Sequence, residues 1–202
     1  MALTLTLRKK ALEMRQVKVA GVILAGGHST RMGQDKTQML VDGITLLERS
    51  RQCMLASSVN EVWIAGPQEG AHPDRRSGMG PAVVILDWLK SPLLNGFDYC
   101  VVMPVDMPLV SPQMLNYLIE NAIRNKSACY FKHYFLPCVL PLSPTVNEVG
   151  EKLLSLENKL SIGRLLNLGP ALELDPHPRD LNELINLNHP QDWDHFIGLR
   201  EA

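Results

Sequence analysis

Residues able to do chemistry gather early in the chain. An apolar run, Val17 to Leu24, leads through Ala25 into Gly26 and Gly27, and Arg31, Asp35 and Lys36 follow in a short polar stretch. Glycines without a Cβ let a backbone turn sharply and approach a ligand, aiming N–H groups at anions or base edges. Arginine and lysine beside them bring the positive charge that a triphosphate needs. The pattern reads as a nucleotide site, although a tight turn with surface charges accounts for the same residues. It is neither a Walker loop nor the Gly-x-Gly-x-x-Gly fingerprint.

Three further sets of residues fit such a site. Asp106 lies in Met103-Pro-Val-Asp106-Met-Pro108, at the end of another apolar run. A carboxylate at a strand's C-terminal tip faces the ligand crevice and can hold a hard cation; a turn-capping Asp before proline is the plain alternative. Gly78-Met-Gly80-Pro81 opens a helix, where free N–H groups can meet a phosphate or a base. Asn186 and Asn188 sit two apart in a stretch read as a strand, so their amides share a face. They can ligate a metal or hold a second substrate, or simply cap the last helix. The six histidines are scattered without metal-ligand spacing, and no Ser–His–Asp or Cys–His pairing can be read from the sequence.

Elements that position these residues alternate along the chain. Strands are expected at Val17–Ala25, Glu61–Ala65 and Tyr99–Val105, the last continuously apolar, as parallel strands covered on both faces are. Helices are expected at Ile44–Ala56, from Pro81 to about Lys90, and from Ser111-Pro112 to about Asn125. In the second half, Ala128–Phe135 and Cys138–Leu142 read as strands that Pro137 and Pro141 assign to edges or bulges. Helices at Thr145–Leu156 and Ser161–Leu168, short strands at Ala171–Leu174 and Leu184–Leu187, and a closing helix at His189–Leu199 complete the pattern. The alternation argues an α/β fold with a mostly parallel sheet and helices on both faces. In such sheets ligands sit beyond the carboxyl ends of the strands, where the glycine stretch falls.

Composition sets the limits. At 202 residues and 46% apolar content the chain can bury a sizeable core. Residues 1–16 are expected to form a flexible extension and 17–202 a single domain. With 20 basic against 21 acidic residues, there is no electrostatic case for nucleic acid or an anionic membrane. No stretch approaches the roughly 20 apolar residues of a membrane helix. Four cysteines without a CxxC spacing fit reduced thiols of a cytoplasmic protein.

The order Leu24-Ala-Gly-Gly27, Arg31-Met-Gly33, Asp35-Lys36 resembles the signature of nucleotidyltransferases with a three-layer Rossmann-like fold. Within that superfamily it is most similar to molybdenum cofactor guanylyltransferase, the MobA family. Met103-Pro-Val-Asp106-Met-Pro108 resembles that family's Pro-x-Asp-x-Pro, and Asn186-Leu-Asn188-His-Pro190 its Asn-x-Asn-x-Pro. The resemblance implies GMP transfer from GTP to molybdopterin, with Mg2+ bound by Asp106. It implies catalytic roles for Arg31, Lys36 and Asp106, and nucleotide contacts from Leu24, Ala25, Gly26, Gly27, Lys36, Asp74, Gly80 and Asp106. Asn186 and Asn188 would support the second substrate or the metal. It also admits transient contact with other molybdenum cofactor biosynthesis proteins. The chain departs from the family at Ala65, where a polar residue is usual, and at Ala82-Val83-Val84 after Pro81. A cytidylyltransferase, a sugar-phosphate nucleotidyltransferase and a non-catalytic nucleotide-binding homologue are the alternatives. A nicotinamide dehydrogenase lacks support, since the glycine spacing it requires is missing.

Overall fold

The computed structural model describes residues 16–26, 35–68, 70–73, 76, 79–157 and 159–201. Most of the expected N-terminal extension, together with Gly27, Arg31 and Asp74, lies outside the described residues. Six strands form one sheet: β1 (Val19–Leu24), β4 (Glu61–Ala65), β5 (Tyr99–Pro104), β6 (Ala128–Phe131), β7 (Tyr134–Pro141) and β8 (Ala171–Leu174), in the order β4-β1-β5-β7-β6-β8. β1 runs parallel to β4 and β5, β6 runs parallel to β8, and β7 alone is antiparallel to its neighbours. A separate two-stranded hairpin, β2 (Leu40–Val41) and β3 (Ile44–Thr45), turns at Asp42-Gly43.

Alternate side chains of the strands feed two cores. Val19 and Ile23 of β1 join Val101 and Met103 of β5 on one face, packed with Met54, Leu115, Leu118 and Phe196. These come from the helices α1 (Leu46–Leu55), α3 (Pro112–Asn125) and α6 (Pro190–Glu201). Ala20, Val22, Cys100 and Val102 face the other way onto Val83, Ile85, Leu86, Leu154 and Leu165. Those belong to α2 (Pro81–Leu89), α4 (Pro144–Glu157) and α5 (Ile162–Leu166). With both faces covered, a strand gains by being apolar at every position, which explains the unbroken runs. The result is a three-layer α/β fold.

Three expectations need correction. Leu184–Leu187 is not a strand: a 3-10 stretch, Pro178–Leu184, runs into irregular chain. Leu184 and Leu187 nonetheless bury their side chains in the core, so the apolar run marks side-chain anchoring and not strand pairing. The strand expected over Ala128–Phe135 breaks at Lys132-His133 into two antiparallel strands, with His133 at a left-handed φ of 68°. β7 lies inside the sheet, and of the two placements expected for Pro137, edge or bulge, the structure has the bulge: it falls in a register shift opposite Tyr130 and Phe131. A proline has no N–H to give a ladder, so a bulge accommodates it where a regular interior position would not. The helix expected from Ile44 starts at Leu46, because Ile44 and Thr45 pair with the preceding strand and Thr45 caps the helix through its hydroxyl.

Candidate active site

β1 and β5 are neighbours, and their C-terminal ends bring the glycine stretch and the acidic motif together. The ladder extends one step beyond the strands, where the Val105 N–H donates to the Leu24 carbonyl at 3.0 Å. Asp106 is the next residue. On the other side of the β1 tip, the Ala25 N–H donates to the Ala65 carbonyl at 2.8 Å. Leu24 and Ala25 are buried and Gly26 is exposed, so the strand surfaces at the glycine.

Lys36 reaches this crevice from a short 3-10 turn, Lys36–Gln38. Asp35 builds that turn: its Oδ1 accepts from the Thr37 N–H at 2.9 Å and from the Thr37 hydroxyl at 2.8 Å. Thr37 is itself buried, which anchors the turn in the protein. Lys36 Nζ then donates to Asp106 Oδ2 at 2.8 Å and to Asn188 Oδ1 at 2.8 Å. The Lys36 and Asp106 side chains are each 15% exposed, so water screens the pair only in part. Asp106 Oδ1 is buried without a hydrogen-bond partner among the described residues.

The C-terminal segment completes the arrangement. The Leu187 N–H donates to the Asp106 carbonyl at 2.8 Å, tying this segment to the acidic motif. Asp192 Oδ2 accepts from the Asn188 N–H at 2.8 Å and the His189 N–H at 2.6 Å, reaching back from the first turn of α6 as in a capping box. Capping therefore falls to Asp192, and the Asn188 side chain is left to meet Lys36. Asn186 is exposed; its carbonyl accepts from the Asn188 N–H at 3.1 Å. No bond from the Asn186 side chain joins it to Lys36 or Asp106 among the described residues.

Gly80 precedes α2 with a φ of 87° and a ψ of 165°, a region essentially reserved for glycine, and Pro81 follows as the first helical residue. Its conformation alone accounts for the residue type. Thus the structure brings Leu24, Ala25, Gly26, Lys36, Asp106 and Asn188 to one end of the sheet. Gly80 and Asn186 stand apart from the bonded cluster.

A sequence whose two motifs meet in this way can be compared with known proteins. The MobA-like NTP transferase domain matches residues 21–168. The chain belongs to that family. It is 31% identical to the molybdenum cofactor guanylyltransferase of Xanthomonas euvesicatoria pv. vesicatoria over 88% of this chain and 93% of that protein. It is 28% identical to the molybdenum cofactor guanylyltransferase of Rhodobacter capsulatus over 87% of this chain and 93% of that protein. Among solved structures, molybdopterin-guanine dinucleotide biosynthesis protein A from Archaeoglobus fulgidus superposes with a TM-score of 0.71 at 20% identity. That superposition covers 90% of this chain and 98% of the other, and it shows the fold.

Two residues of this MobA-like site escaped the sequence reading. Gln68 Nε2 donates to the Ala25 carbonyl at 2.9 Å, and its Oε1 is buried without a partner among the described residues. A Cβ on Gly66 would collide with Gln68 Oε1 and crowd the Ala25 carbonyl carbon at 3.0 Å, so the glycine makes room for this contact. Asp192 is the other. The signal for it was legible, an acidic residue in the first turn after Pro190; nothing in the sequence pointed to Gln68.

Proposed function

We propose that this chain transfers GMP from GTP to the terminal phosphate of molybdopterin, giving the guanine dinucleotide cofactor and pyrophosphate. One observation carries the reading: an ammonium, a carboxylate and an amide converge beyond the tips of β1 and β5, next to the glycine strand end. The names of the two relatives supply the nucleotide and the acceptor.

In this reaction an oxygen of the acceptor phosphate forms a bond to the α-phosphorus. The bond from that phosphorus to the bridging oxygen of the β-phosphate breaks, and pyrophosphate carries the electron pair away. The acceptor is already ionised, so no general base is needed, and transfer depends on positioning and charge neutralisation. Lys36 neutralises charge that builds on pyrophosphate, with Arg31 assisting. Backbone groups of Leu24, Ala25, Gly26 and Gly27 cradle the nucleoside, and Asp74 and Gly80 complete the nucleotide's contacts. Asn186 and Asn188 would support the acceptor or the metal.

The donor set suits a hard divalent cation. Asp106 offers a buried oxygen that no donor among the described residues satisfies, and Asn188 offers an amide oxygen. Asp106 and Asn188 would hold Mg2+, whose chemistry when bound is to polarise phosphate oxygens as a Lewis acid. The four free cysteines suit a reducing compartment such as the cytoplasm.

Incubation with GTP, Mg2+ and molybdopterin tests the proposal. Pyrophosphate and a guanine dinucleotide should appear in equal amounts, and CTP or UTP should give little. A cytosine dinucleotide as the main product would replace the guanylyl reading with a cytidylyl one.

A further inference from the structure

We infer that the Lys36 ammonium and a divalent cation compete for the same two oxygens, so that the site admits the cation only together with the nucleotide's polyphosphate. The inference rests on the nucleotidyl-transfer reading above and adds the form in which that substrate is taken. Lys36 Nζ stands 2.8 Å from Asp106 Oδ2 and 2.8 Å from Asn188 Oδ1. A positive centre held between two hard oxygens uses the donors that a hard cation would need.

Carboxylates available to a free cation are few. Among the described residues there is no group of three His, Cys, Asp or Glu able to hold a metal. Asp35 accepts from Thr37 with its Oδ1, and Asp192 accepts from the Asn188 and His189 amides with its Oδ2. Asp106 remains, and its charge is already matched by Lys36. A divalent cation arriving alone would find the Asp106 charge already matched and would lie beside an ammonium. Small hard cations of this kind are commonly held by one or two carboxylates together with substrate phosphates.

A polyphosphate resolves both difficulties at once. Its oxygens give the ammonium a new partner and the cation its missing ligands. Lysine suits the exchange, being a compact charge on a flexible stem. The coupling is reciprocal: whatever factor the nucleotide adds to cation affinity, the cation adds to nucleotide affinity.

Mn2+ serves as the probe, followed by electron paramagnetic resonance on nucleotide-free protein. Wild type should show no saturable site in the micromolar range. Lys36→Met should bind Mn2+ more tightly by about tenfold or more, a shift read directly as a change in Kd. Lys36→Met combined with Asp106→Asn should lose that gain. Lys36→Gln provides a second variant, and thermal melts confirm that each protein folds. A micromolar site in the wild type that Asp106→Asn abolishes would overturn the inference without any lysine variant, as would unchanged affinity in both lysine variants. The Mn2+ pattern with no GMP transfer would support the inference and count against the guanylyl reading alone.

Discussion

The two halves of the sheet differ in how they use their strands. β4, β1 and β5 run the same way, so their C-terminal tips meet at one end, and the bonded cluster of Lys36, Asp106 and Asn188 forms there. On the other side, β7 is reversed and joined to β6 by a tight turn, and a bulge interrupts their register. The second half supplies the site with little beyond the C-terminal segment, yet it holds much of the second core. Parallel tips concentrate chemistry, while the antiparallel insertion carries packing.

That division can be broken by mutation. Lys36→Ala should lower turnover by roughly 10²–10³, typical of losing one electrostatic contact to a transition state, with a nearly unchanged melting temperature. Steady-state pyrophosphate release measures it. In the second half, Leu165 is 1% exposed, and Leu165→Ala should reverse the signature. Its cost of about 2–5 kcal/mol should lower the melting temperature by roughly 5–15 °C while turnover below the transition stays near wild type. A Leu165 variant that loses turnover but keeps its melting temperature would dissolve the distinction.

The thiols sharpen the comparison at the seam between the halves. Burial pushes Cys100 of β5 up to about 12, and burial raises Cys138 of β7 as well, with Cys100 and Cys129 adding to it. Unfolding lets such thiols titrate near ~8.5, so above that pH the unfolded chain binds fewer protons than the native one. Stability should therefore fall as pH rises from about 8.5 toward the native values. Urea unfolding across that range checks it, and Cys100→Ala should flatten the decline.

The smallest expected effect concerns the charged network on α2 and α4. Arg76 donates to Asp87 and to Glu151, and Lys90 also pairs with Glu151. The hydrogen bond from Arg76, with help from Lys90, holds the Glu151 carboxyl below its usual range. Its contribution is present above the ordinary glutamate value near ~4.3 and disappears as pH falls through the depressed one. Because Glu151 is 37% exposed, Glu151→Gln should cost no more than about 1 kcal/mol at pH 7. Urea unfolding at neutral and acid pH should show that difference vanish.

The first half was legible because its signals are local. A buried parallel strand is apolar throughout, and a glycine tip followed by charge is distinctive in one dimension, so β1, β5, Lys36 and Asp106 could be read directly. Asn188 was readable as a candidate, but the short apolar run Leu184–Leu187 misled, since an irregular segment anchored by buried side chains can be as apolar as a short strand. β7's interior position was hidden for a similar reason: Pro137 signals a broken ladder, and a bulge breaks one as surely as an edge does. Gln68 could not be found, because its partner is a backbone carbonyl 43 residues away.

The proposed nucleotidyl transfer requires the Asp106 carboxylate at the shared tip of β1 and β5. The most direct measurement is the rate of GMP transfer from α-labelled GTP to molybdopterin by Asp106→Asn, beside a melt showing that the variant folds. A loss on the order of 10²–10³ with the fold retained is expected. A folded Asp106→Asn that forms dinucleotide at the wild-type rate would contradict it.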